Sequence, residues 1–154
     1  MKRFFGALAG LAAACALIPA VATAGGPTVA NGGGRGSTDF EHPFSQFGFD
    51  VTRSADGSVE GHFNCLMAGA SRFPGFTLMA VRGQVTRAVI SAHAASFDGV
   101  GMFQTGNQGK SDATFHVEVT AGGPGVGTLH LTLLTPFFFD LPTEHVLNGQ
   151  ISIH

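Results

Sequence analysis

An all-β domain, either an antiparallel β-sandwich or a small β-barrel of about eight strands, is what this 154-residue sequence predicts. Three observations carry the expectation. In successive runs between Phe47 and the C-terminus, apolar residues recur at every second position, the period of a strand with one buried face. Clusters rich in Gly, Pro, Asn and Asp punctuate those runs at short intervals, as turns between strands require. No stretch shows the apolar stripe of a long amphipathic helix.

The elements follow in chain order. Residues 25–43 combine Gly25, Gly26, Gly32, Gly33, Gly34 and Gly36 with Pro27 and few apolar side chains. They read as a Gly-rich flexible lead-in, because glycine loses the most backbone entropy on ordering. The single all-β domain is expected over residues 44–154. Phe47, Phe49 and Val51 alternate with polar positions, Asp56-Gly57 supplies a turn, and Val59, Gly61, Phe63, Cys65 and Met67 alternate in return. This is the clearest hairpin in the chain. After a break at Ala68–Gly75, strands are expected over Leu78–Val85 and Ala88–Phe97, with a short one over Val100–Gln104 after Asp98-Gly99. Phe115, Val117 and Val119 form the next apolar face, Gly122–Gly125 a turn, and Leu129, Leu131 and Leu133 the following face. A last strand should face Leu147, Gly149, Ile151 and Ile153 inward.

Ahead of all this stand Lys2 and Arg3, an uncharged run over residues 4–22, and Ala22-Thr23-Ala24. That is the pattern of a secretory signal peptide over residues 1–24: basic start, apolar middle, small residues at the cleavage site. Its middle is rich in Ala and Gly and broken by Pro19, and no basic stop follows, so cleavage near Ala24 is expected rather than a retained anchor. Lipid attachment at Cys15 fits less well, because the apolar run continues past it. The protein is therefore expected to be secreted or periplasmic, with no stable membrane insertion after cleavage.

Cleavage changes the composition. The eight basic residues fall to six with Lys2 and Arg3 gone, against ten acidic ones, giving a net charge of −4. Six scattered cations make no dense basic patch, so neither nucleic acid nor anionic lipid is an expected partner. Cys15 leaves too, so Cys65 stands alone and the domain must rest on its core rather than on disulfides. Cys65 shares the phase of Val59 and Phe63, which predicts a buried, inert thiol. The 15 Phe fall to 13 without Phe4 and Phe5, and there is no Trp or Tyr. Such usage suits a dry interior better than a sugar-binding surface.

Seven His are the one hint of a site. His116 and His130 lie on polar faces of strands joined by a Gly-rich turn. Either His116 or Glu118 then opposes His130, depending on register, and all three fall within cross-strand reach. Two imidazoles and a carboxylate could hold zinc with an open fourth position, although no H-x-H or H-E-x-x-H spacing supports it. Other patterns fail. Gly109-Lys110-Ser111 has Gln104 where a phosphate loop needs glycine. Gly69–Phe73 breaks the nucleophile-elbow pattern at Phe73, and nothing brings Ser71, His62 and Asp50 together as a triad. Phe137-Phe138-Phe139 cannot send three rings into one core by alternation, so at least one should face outward unless covered, a possible contact surface.

Phe47-Gly48-Phe49-Asp50-Val51, Gly61-His62-Phe63-Asn64 and the closing Gly149-Gln150-Ile151-Ser152-Ile153-His154 resemble a family of small bacterial secreted all-β domains of unknown function. The resemblance spans about residues 44–154 and implies export and a β fold, with no active site to carry over. The expectation is a non-catalytic domain that binds or assembles outside the cytoplasm, with a protein or cell-surface partner and no cofactor. The alternatives are a β-barrel carrier of a small apolar ligand, whose Phe-rich interior would be the pocket, and a His-based metal-binding protein or hydrolase.

Overall fold

The computed structural model describes residues 25–68, 78–106 and 109–154. Residues 1–24, where a signal peptide is expected, and Ser71 lie outside the described residues. The described chain is all β: β1 (Thr28–Ser37), β2 (Ser45–Arg53), β3 (Val59–Ala68), β4 (Leu78–Ile90), β5 (Ala94–Thr105), β6 (Lys110–Thr120), β7 (Thr128–Thr135), β8 (Phe139–Asp140) and β9 (Glu144–Ile153). All pairings are antiparallel, in the order β6-β5-β4-β3-β2-β1-β9-β7-β8 with β6 also paired to β7. The sheet therefore closes on itself like a ring, with β8 a short strand beside β7.

Alternation decides which residues fill the ring. Phe47, Phe49 and Val51, then Phe63, Cys65 and Met67, then Phe115, Val117 and Val119, then Leu129, Leu131 and Leu133 are all buried. Rings from non-adjacent strands meet inside the wall: Phe49 and Phe97 at 5.4 Å, Phe63 and Phe97 at 5.9 Å, Phe63 and Phe115 at 5.3 Å between centroids. Each such ring removes a large apolar area from water, and aromatic pairs at this spacing add a further increment. The β2–β3 hairpin forms as expected, pairing Phe49 with Phe63 and Arg53 with Val59, with Gly57 in the left-handed region at the turn.

Four expectations are corrected. The Gly-rich lead-in is not free chain. Its core, Thr28–Ser37, is β1, laddered to β2 on one side and β9 on the other. A Cβ on Gly32 would meet Phe49 Cε1 at 2.9 Å and Ile151 Cγ1 at 3.0 Å. Side chains from the neighbouring strands thus fill the space that β1 leaves empty. Asp98-Gly99 is not a strand start, since β5 runs straight through it. Glycine is needed at 99 because the Phe115 ring lies where its Cβ would be. β4 likewise runs on to Ile90 before the turn at residues 91–93. Finally, Leu147 does not share the inward phase of Ile151. Arg35 pairs with Asn148 but Gly36 with Val146, so β9 carries one extra residue there. A single-residue slip moves every preceding side chain to the other face, which turns Val146 and Glu144 into the core.

Candidate functional site

The outer face of β5–β8 collects charged side chains into a continuous row. Register places Asp98 opposite His116, Glu118 opposite His130, and Thr132 opposite both His116 and Asp140. Of the two registers open to the sequence, the one that sets Glu118 against His130 is adopted. Contacts follow the ladder. His116 Nδ1 lies 2.7 Å from Asp98 Oδ1, and its Nε2 lies 3.8 Å from Glu118 Oε1. His130 Nδ1 lies 3.3 Å from Glu118 Oε2 and its Nε2 2.9 Å from Asp140 Oδ1. The Thr132 hydroxyl donates to the same Asp140 oxygen at 2.8 Å, and Arg87 reaches Asp98 at 3.9 Å.

His116, Glu118 and His130 thus come together, as the polar-face alternation suggested. Yet each imidazole nitrogen is directed at a carboxylate rather than at a shared point. Among the described residues, no group of three or more His, Cys, Asp or Glu side chains could hold a metal ion. The row is a ladder of imidazole–carboxylate contacts running Asp98–His116–Glu118–His130–Asp140. The hydrogen bonds of both imidazoles go to carboxylates, so among the described residues neither ring is paired with a hydroxyl or thiol as a base with its nucleophile. Beside the row runs a groove of about 410 Å3, lined among others by Val89, Ser96, Glu118, Thr128, His130 and Thr143.

The row ends at the Phe137–Phe139 segment. Phe137 stands edge-on to the buried Phe103 at 5.3 Å and to Phe139 at 6.4 Å. Phe139 packs against the core and pairs with Leu133. Phe138 projects into solvent with 72% of its surface exposed, and Leu134 and Phe137 are also exposed. Alternation required at least one outward ring; Phe138 is the most exposed of the three and Phe137 is exposed as well. Asp140, which closes the charged row, lies two residues on.

Other candidates resolve differently. Asp50 and His62 face each other across β2 and β3. Asp39 organises a turn, accepting hydrogen bonds from the Glu41 and His42 amides, from Ser37 and from the His42 ring, which hold its carboxyl far below the usual range. Cys65 is free and buried, and desolvation pushes its thiol well up, so it stays protonated and inert.

One polar group was invisible to the sequence pattern. Glu144 is 2% exposed and faces the interior, where its carboxyl accepts a hydrogen bond from the Ser45 hydroxyl. Gly36 makes room for it, since a Cβ there would land on the carboxyl. Burial pushes the Glu144 pKa up to about 7, the Ser45 bond opposing the shift only in part. Only the bulge in β9 could have announced this, and alternation alone does not show a bulge.

Compared with protein-family models, with curated proteins and with solved structures, the chain gives no match.

Proposed function

We propose that this is an exported, non-catalytic domain that binds or assembles through the outer face of β5–β8, with a protein or cell-surface partner. The observation that carries the reading is Phe138, an exposed aromatic side chain two residues from Asp140 at the end of the charged row. Large exposed apolar groups rimmed by polar ones mark contact surfaces, and a central aromatic anchor beside charged groups is the usual make-up of a binding patch. The buried rings packed against one another inside the wall favour an external surface over a carrier's pocket, because a ligand of ordinary size needs roughly 300 Å3 or more of cavity. Phe63, Phe97 and Phe115 occupy that space.

The test is a photo-crosslinking amino acid placed at Phe138 in the producing cell, with Glu60 as the control position. Glu60 is exposed on β3, across the ring from β7. The expected result is one discrete adduct from position 138 and none from 60. Equal labelling from both, or none from 138, contradicts the reading.

A further inference from the structure

The ring has one weak join. Its other neighbouring strands are laddered over at least seven positions each, as in β3–β4 and β6–β7. β7 and β9 share only two, Thr128 with His145 and Leu129 with Glu144. The rest of the gap is closed by the turn that follows β6. The Gly125 amide donates to the Val146 carbonyl and the Val146 amide to the Gly127 carbonyl, each at 2.8 Å, while Gly122 and Ile151 exchange two bonds at 3.0 Å. A glycine-rich turn thus stands in for a strand.

Glu144 sits at this join with its carboxyl turned inward. None of the ion pairs among the described residues involves it, and Ser45 is its side-chain hydrogen-bond partner. Among the described residues, the surrounding elements supply no compensating charge. β1 offers Gly36 and Ser37, with Arg35 exposed. β2 offers Ser45, β3 the neutral Cys65 thiol, and β7 Leu129, while His130 is engaged outside with Glu118 and Asp140. His145, next along β9, stacks on Phe40 at 4.2 Å. A carboxylate with one hydroxyl partner and no cation is costly to bury, whereas the neutral acid is not.

We propose that Glu144 is a proton-operated latch on the β7–β9 join: protonated, it lets the ring close, and on losing its proton it opens the join locally while the β1–β6 ladders persist. Opening hydrates the carboxylate and breaks only the few bonds that bridge the gap. Raising the pH through neutrality therefore loosens the β6–β7 turn and the bonds that Val146 and Ile151 of β9 make to it, and no other part of the wall.

Amide hydrogen exchange on the mature protein at pH 5 and pH 8, each rate divided by its intrinsic value, reads the latch directly. With a closed-state pKa of about 7 and an ordinary value of 4.5 once open, linkage gives up to roughly a 70-fold rise in opening between those pH values. The rise is expected at the Gly122, Gly125, Val146 and Ile151 amides and not in β3–β5. Glu144→Gln keeps the size and the Ser45 bond but cannot ionise, so it should abolish the rise. Unchanged protection at the join, or the same rise in Glu144→Gln, overturns the proposal. Should that variant fold poorly, carbon-detected titration of the Glu144 carboxyl in the unaltered protein decides. Its midpoint should lie near 7 and coincide with loss of protection at Val146; a midpoint near 4.5, or a separate one for Val146, overturns the latch.

Discussion

Gly99 shows how far a single residue can be dictated from elsewhere in the fold. It lies inside β5, yet the Phe115 ring of β6 occupies the place of its side chain. Gly99→Ala should cost about 1–3 kcal/mol through overpacking, measured by urea unfolding, and Phe115→Leu should recover part of that loss because the two sites share one space. Phe138 is the opposite case. Phe138→Ser should change stability by no more than about 0.5 kcal/mol, as exposed positions generally do, while Phe115→Ala should cost about 3–5 kcal/mol. Loss of partner binding in Phe138→Ser, without loss of fold, separates contact from core. Glu144 gives the pH dependence. Its pKa is about 7 when folded against an ordinary 4.5, so the native state keeps a proton that the unfolded chain has already lost. Its contribution is fully present below pH 4.5, declines as pH rises towards 7, and is then gone. The total is on the order of 3 kcal/mol. Unfolding free energies measured across that window should fall with pH for the unaltered protein and fall less for Glu144→Gln by about that amount.

At the level of elements, some strands declared themselves and others could not. β2, β3, β6 and β7 have Phe, Val, Met or Leu at alternate inward positions, and period two reads them directly. β1 carries glycine on the inward face instead, so it has no period to read. It is a strand because Phe49, Ile151 and Glu144 reach across from β2 and β9 into the space it leaves, a fact of tertiary packing. β9 was legible from Gly149 onward, but the extra residue near Leu147 reversed the phase before it, and with it the orientation of Glu144. The charged row was foreseen in three of its members, His116, Glu118 and His130, because they alternate on polar faces. Asp98 and Asp140 were not, since Asp98-Gly99 has the composition of a turn and β8 is only two residues long. The reassignment of β1 has a direct consequence. A chain truncated to residues 44–154 loses nine laddered positions with β2 and eight with β9. It should fail to melt cooperatively by circular dichroism, whereas a flexible lead-in could be removed without effect.

For the molecule as a whole, closure and filling do the work that disulfides do in many exported domains. Cys65 is free, buried and protonated, so the melting temperature of the chain over residues 25–154 should not change in a reducing buffer. A drop of several degrees would mean that Cys65 is bridged. Rings from β2, β3, β5 and β6 meet inside the wall, whereas the row from Asp98 to Asp140 and the ring of Phe138 lie on its outer side, where the proposed contact surface is. The most direct test of that division is an amide-exchange footprint of the domain bound to the partner captured at position 138. New protection should fall on β6, β7 and the Phe137–Asp140 segment, leaving β2 and β3 as in the free protein. Protection confined to β2 and β3, or to buried core positions with the outer face of β5–β8 unchanged, would contradict the account.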